Sequence, residues 1–503
     1  KMQFGIDCGL FQGPKEIKER NYKEFVIDPS SLDFLILTHA HIDHIGLVPK
    51  LVKHGFKGPI YCSHATEELA SVLLPDSGYI QESEVERKNR KLKRAGKLLI
   101  EPIYTVEDAL NSLKQFRSLN SDEIIEIAEG IEVRLRDAGH ILGSNILEIW
   151  VEEKGEKIKL VFTGDLGNSN QPIVKDPTII ESADYVIMES TYGNRYHKGV
   201  FRRTEQLKEI IENTMAKGGN LIIPSFAVER TQDLLYDLNN LYDNGELDEN
   251  IDIYIDSPLA IAATEIFERN IEYYDHDSRQ LIEQGKHPLH LPNLKFSRTQ
   301  EDSMKLNEVQ SGAIIISASG MCDAGRIKHH LKHNLWRPEC TVLFVGYQAI
   351  GTLGRRIVDG EKLVRIHGEQ VAVKADIESI EAYSAHADKA GLISWLKNFV
   401  LPPKAVFLVH GEVESQISLA EYIRSELGIQ VFIPDWLEEF ELKPSEKVLP
   451  KQFVGENMDK AMIAEEMYLD LRLKLHNMFK EYWQRSEFDK IIQEIKRLEK
   501  NIS

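Results

Sequence analysis

The sequence predicts a layered α/β protein in which a second α/β unit is inserted into the first, on three observations. Seven apolar runs each lead to a histidine, aspartate or glutamate. Between about residues 196 and 374 such donors stop, and strand-like and helix-like segments alternate, the pattern of a parallel sheet with crossover helices. Donors resume at His386, so the middle unit interrupts the first.

The 503 residues allow about three domains. No apolar run approaches the ~18 residues of a membrane span, and no secretory pattern opens the sequence. Cys8, Cys62, Cys322 and Cys340 are scattered without a CxxC pair. They read as small buried hydrophobes of a reducing, cytoplasmic setting, not as a disulfide framework or a thiolate metal site. Formal charge is 61 − 80 = −19, which argues against a polyanionic partner except where a local cleft is basic.

Taken along the chain, QFGIDCG reaches Asp7 and FLILTHAHIDH reaches His39, His41, Asp43 and His44. His39 and His41 are two apart and share a side of extended backbone. Asp43 and His44 enter the amphipathic, helix-like segment IGLVPKLVKHG. Donors split this way suit two metals better than one. Imidazole and carboxylate without thiolate favour zinc, with manganese or iron as alternatives. IEVRLRDAGH alternates through Ile131, Val133 and Leu135 to His140; KIKLVFTGD reaches Asp165 and DYVIMES reaches Glu189. IESIEAYSAHAD and KAVFLVHGE carry His386 and His410. Ligands collect at the carboxyl ends of strands in layered α/β folds, so the seven run ends are expected at one edge.

HAHIDH with the downstream GH of His140 and the TGD of Asp165 resembles the metallo-β-lactamase fold, an αββα sandwich. MESTYGNR, PSFAVERTQDLL, YIDSPLA, SASGMCDAGR, GYQAIGTLGR, YSAHAD and LVHGE, in that order, narrow the likeness to the β-CASP branch of RNA-processing nucleases. That branch includes the endonuclease subunit of pre-mRNA 3′-end processing and its bacterial and archaeal homologues. The likeness covers about residues 4 to 440. It implies a zinc on His39, His41 and His140, a second on Asp43, His44 and His410, and Asp165 bridging both. It also implies that Asp7 orients the site from behind, and that Glu189, His386 and His410 occupy the family's motifs A, B and C. Motif C is histidine in members acting on RNA and typically valine in DNA-specific ones. The family normally has a further hairpin before the Asp7 strand, whereas six residues precede Asp7 here.

The expected divisions are 1–195 and 375–445 for the metallo-β-lactamase domain, 196–374 for an inserted Rossmann-like β-CASP domain, and 446–503 for a helical C-terminal extension that packs on the body or on a second copy in a homodimer. The expected reaction is hydrolysis of single-stranded RNA by a hydroxide held between two metals about 3.5–4 Å apart, with Asp43, Asp165, Glu189 and His386 as the catalytic set. His386, oriented by Glu189, would protonate the leaving ribose 3′-oxygen, giving a 5′-phosphate and a 3′-hydroxyl. Internal cutting is the first expectation. A 5′-exoribonuclease is the alternative, followed by a small-molecule hydrolase of the same fold and an inactive scaffold.

In the insert, Ser225, Arg230, Ser257, Ser319, Arg326, Gly351 and Arg355, with Ser384 beyond it, are candidate phosphate contacts, since Gly-rich turns and helix starts bind anions. Singly, each reads equally well as a helix cap or tight turn. ERKNRKLKRAGK, Glu86 to Lys97, carries seven basic residues; it reads as a solvated helix or mobile loop slightly ahead of an RNA-tracking surface. His54, His64, His329, His330 and His333 lack strand-end context and read as surface or structural residues.

Overall fold

In the computed structural model, the described residues are 2–13, 15–197, 202–349, 351–444, 449–450 and 488–502, with Leu471, Lys474, Leu475, Met478, Tyr482 and Arg485. Most of the expected extension at 446–503 therefore lies outside the described residues; a helix occupies Phe488–Ile502. Among the described residues no helix is long and apolar enough to cross a membrane.

Two sheets face each other. The first is parallel: β1 (Phe4–Ile6), β2 (Phe34–Ile36), β3 (Ile60–Ser63) and β4 (Phe116–Leu119). The second has seven strands: β5 (Ile125–Ala128), β6 (Ile131–Asp137), β7 (Asn145–Glu153) and β8 (Glu156–Phe162) run antiparallel in succession. It continues in parallel through β9 (Tyr185–Glu189) to β18 (Ala405–Val409) and β19 (Val431–Phe432).

Side-chain alternation produces the layering. Phe34 and Ile36 meet Val133, Leu135, Leu147 and Phe407 between the sheets. Leu35 and Leu37 point the other way, onto the helical layer with Leu69 and Leu74. On the outer face of the second sheet, Ile146, Val161 and Met188 pack on Leu392, Trp395 and Leu419. This is the αββα arrangement.

The middle of the chain builds a third sheet, all parallel, in the order β12-β11-β13-β10-β14-β17. Its strands are β10 (Leu221–Pro224), β11 (Asp252–Ile255), β12 (Leu294–Phe296), β13 (Ala313–Ser317), β14 (Thr341–Phe344) and β17 (Asp376–Ser379). The central run AIIIS is buried throughout, as expected of strands covered on both faces. β17 lies just past residue 374, where the sequence places the end of the insert. A hairpin of β15 (Leu363–Ile366) and β16 (Glu369–Ala372), which the strand–helix alternation does not suggest, precedes it.

The topology delivers donors to one edge. Asp7 follows β1, Thr38–His39 follow β2, His140 follows β6 and Asp165 follows β8. β9 and β18 pair in parallel with Glu189 opposite Val409, which sets Glu189 beside His410. A bridge between Gly167 and His386 brings in the last one. Gly164, in the turn before Asp165, has φ +54°, and a Cβ there would lie 2.8 Å from the Thr38 Cβ, so a side chain at this position would collide with the residue that precedes His39.

Candidate functional site

All seven donors suggested by the sequence converge. His41 Nδ1 lies 3.1 Å from both His39 Nε2 and His140 Nε2. Asp165 Oδ2 is 3.5 Å from His39 Nε2 and 3.6 Å from His140 Nε2. Four donors on a cation at the ordinary zinc–nitrogen distance of about 2.0–2.1 Å would sit about 3.3 Å apart, so the spacing fits a tetrahedral ion. On the other side of Asp165, His44 Nε2 is 3.2 Å from His410 Nε2 and 3.4 Å from Asp165 Oδ2, and His410 Nε2 is 3.6 Å from Asp43 Oδ2. Asp165 Oδ2 is thus shared by two groups of donors.

These side chains make poor sense without a cation. His39, His140 and Asp165 are essentially inaccessible to solvent, and Asp165 Oδ1 is buried without accepting a hydrogen bond; such burial is costly unless compensated. Burial pushes His39 and His140 well below the usual imidazole range, and His41 down to about 4. They stay neutral, with lone pairs free for a metal. Burial opposes charge on His44 and His410 as well, but there Asp165, with Asp7 and Asp43, prevails; His44 is raised well above its ordinary value and His410 to about 9. The carboxylates require positive charge, and a metal competes with protons to supply it.

The surroundings fix the rings. Asp7 Oδ1 accepts from the Thr38 amide at 2.7 Å, and its Oδ2 accepts from the Thr38 hydroxyl at 2.8 Å and from His44 Nδ1 at 2.7 Å. That contact leaves His44 Nε2 facing the site. Thr38 Oγ1 also touches His39 Nδ1 at 3.0 Å, and His140 Nδ1 is 3.3 Å from the Ala385 carbonyl. Asp7 and His410 adopt φ +57° and +48°, a region costly for residues other than glycine.

His386 stands at the rim, its Nδ1 3.2 Å from Glu189 Oε1. The same carboxylate accepts from the amides of Leu166 and Thr191 at 2.8 and 3.2 Å. Burial opposes an imidazolium at His386, but Glu189 outweighs it and raises its pKa.

A cleft of about 1120 Å³ opens over this group and runs between the two units. Of the candidate phosphate contacts, Arg230, Ser257, Ser319, Arg326 and Ser384 line it. Their polar atoms are partly engaged: Ser257 caps the helix Pro258–Arg269, Arg326 pairs with Asp256 at 2.8 Å, and Arg230 pairs with Asp233 at 3.3 Å while its buried Nε has no partner. Ser225, Gly351 and Arg355 do not line the cleft. Ser225 is buried against Phe226 and Thr231, and Arg355 binds Asp359 on its own helix at 2.9 Å. His330 is a buried partner of Asp256 at 2.6 Å, whereas His329 faces the cleft.

The sequence reading misses Thr38, which sits between Asp7 and two ligand-type rings although it directly precedes His39. It misses Glu229 and Thr191, visible only as polar residues inside PSFAVER and MESTYGNR. Thr191 Oγ1 lies 3.3 Å from His410 Nδ1.

Three family profiles match the chain: the metallo-beta-lactamase superfamily over residues 6–192, a Beta-Casp domain over 231–357, and a Zn-dependent metallo-hydrolase RNA specificity domain over 370–434. A ribonuclease of Thermus thermophilus is 36% identical over 418 residues, 83% of this chain and 90% of the relative. An RNase J-like protein of Methanocaldococcus jannaschii is 31% identical, covering 85% and 91%. The transcription termination factor FttA of Methanosarcina mazei is 31% identical over 84% of this chain and 66% of its own length.

Proposed function

We propose a hydrolytic ribonuclease, on the premise that this chain belongs to the β-CASP family of metallo-β-lactamase-fold, metal-dependent hydrolases. The observation that carries the reading is the buried cluster of His39, His41, His140 and Asp165 beside Asp43, His44 and His410, at the floor of a cleft between two units. The two donor groups would hold two zinc ions, one on each side of Asp165, with manganese or iron as substitutes. Bound there, such ions supply Lewis acidity and ionise water near neutral pH.

The protein's own groups do the rest. Asp165 offsets charge shared between the two donor groups. Asp43, 3.6 Å from His410 Nε2, adds a second negative charge to the group it forms with His44 and His410. His386 gives a proton to the ribose 3′-oxygen as its bond to phosphorus breaks, while the oxygen of water bonds to phosphorus. The products are a 5′-phosphate and a 3′-hydroxyl. Glu189 occupies Nδ1 and leaves Nε2 as the donating atom. Single-stranded RNA is the substrate we favour, because His410 stands where RNA-acting members of the family carry histidine. Internal cutting is the favoured mode. The four unpaired cysteines fit a reducing cytoplasm.

The test is a time course on one labelled single-stranded RNA beside DNA of the same sequence, with and without chelator, for the wild type and His386→Ala. Chelator-sensitive internal cuts in RNA alone support the reading; mononucleotides from the 5′ end would replace endonuclease by 5′-exoribonuclease. His386→Ala is expected to keep its metals and lose about 10²–10⁴-fold in turnover. Full activity in that variant would remove His386 as the acid.

A further inference from the structure

We propose that the cleft holds a second RNA-phosphate site, remote from His386, where the last turns of the helix His64–Arg94 meet the β15–β16 hairpin and the helix Ile327–Asn334 of the inserted unit. The proposal rests on reading the chain as an RNA-binding enzyme and extends it.

The long helix supplies the geometry. Leu73, Asp76, Tyr79, Ser83, Arg87 and Arg90 all line the cleft; spaced three and four apart, they form one face of the helix. Near the helix start, the Thr66 hydroxyl donates to the Gly143 carbonyl in the His140 loop at 2.9 Å. Arg87 lies 21 positions further on, about 32 Å along the axis at 1.5 Å per residue. One helix face therefore runs from beside the metal-type ligands to the far mouth of the cleft.

The far mouth is positive. Arg87, Arg90, Lys328, His329 and His367 all line the cleft, and Arg87, Lys328 and His329 lie close enough to His367 to act on its charge. The His329 and His367 rings lie 4.5 Å apart. Arg87 makes no ion pair among the described residues, and Arg90 has only an exposed contact with Glu86 at 3.6 Å. The nearby acids Glu84 and Glu369 are engaged by Lys88 and Lys332. On a chain of net charge −19, a cluster of cations and imidazoles drawn from both units is unusual, and its chemistry suits an RNA phosphate. Between the two sites, Tyr79 is 65% exposed and Phe226 39%, and both line the cleft as stacking faces for unpaired bases. The basic run Glu86–Lys97 thus divides, with Arg87 and Arg90 turned to the cleft.

The test uses the full, metal-loaded chain in a His386→Ala background to prevent turnover. Its readout is the fluorescence anisotropy of labelled oligouridylates of about 20 and about 4 nucleotides, bracketing typical single-strand site sizes. Arg87→Gln/Arg90→Gln is expected to weaken the long RNA about tenfold at low salt. It should lower the slope of log Kd against log salt by about 0.7 per lost contact, while the short RNA changes less than twofold. Arg87→Lys/Arg90→Lys should bind like the parent. An unchanged Kd for the long RNA, an equal loss for both lengths, or a parent that binds neither RNA would overturn the proposal. Failure of the wild type to cut RNA would instead sink the ribonuclease reading, and the Kd comparison would still decide this one.

Discussion

The amide of Leu142, two residues past His140, donates a 3.0 Å hydrogen bond to Glu229 Oε2 of the inserted unit, so the insert holds the loop that carries a metal-type ligand. Glu229 is buried at φ +66° at the start of the helix Arg230–Asp243, and its Oε1 has no partner. Burial, reinforced by Asp233, lifts its pKa well above the carboxylate range.

That shift has a definite sign. The unfolded chain ionises this carboxyl above about pH 4.5, while the folded chain keeps its proton, so stability is full below that pH and declines as pH rises. Glu229→Gln keeps an acceptor for Leu142 and cannot ionise. Its melting temperature should therefore fall less than that of the wild type between about pH 6 and pH 9. Glu229→Ala leaves the Leu142 N–H unsatisfied, at about 1–3 kcal/mol, and should melt lower at every pH. Parallel melting–pH curves for wild type and Glu229→Gln would refute the assignment.

The metal-type ligands are legible in the sequence because each follows a locally patterned strand. Ile131, Val133 and Leu135 alternate into the inter-sheet core, and the strand then has to deliver His140 to the sheet edge. The pairing of Glu189 with His386, across 197 positions, depends on the non-local bridge that sets His386 against Gly167, next to the Leu166 amide that Glu189 holds, and only the family resemblance anticipates it. The phosphate contacts fare unevenly for physical reasons. Arg355 has Asp359 four positions on, a partner on the same helix face that the sequence displays. Ser225 turns inward, a matter of tertiary packing. The cleft-facing side of the helix His64–Arg94 is equally non-local: the basic residues after Glu86 are visible, but nothing in their spacing says which of them meet the insert.

Glu189 should tune the proton on His386. Its carboxylate stabilises the imidazolium against the cost of burial, so Glu189→Gln removes the favourable charge and lowers the pKa of His386. With a group that must be protonated to act, the high-pH limb of the kcat profile then moves to lower pH. A pH–rate series on one RNA, with metal content checked at each pH, measures this. An unshifted limb would mean that Glu189 serves only to hold the Leu166 and Thr191 amides.

Asp7 should set metal affinity without touching metal. Its carboxylate holds His44 Nδ1 and, through Thr38, reaches His39. Asp7→Ala frees the His44 ring to rotate or change tautomer. Partners of this kind are typically worth about 10–100-fold in affinity, and the loss should fall mainly on the group formed by Asp43, His44 and His410. Titration of the variant against a competing chelator should then show one zinc released early and one retained, whereas His410→Ala loses the same zinc outright. Because Thr38 still contacts His39 in the variant, the group with His41 and His140 should weaken less. Two zincs released together, or both held as tightly as in the wild type, would contradict the division of the site about Asp165.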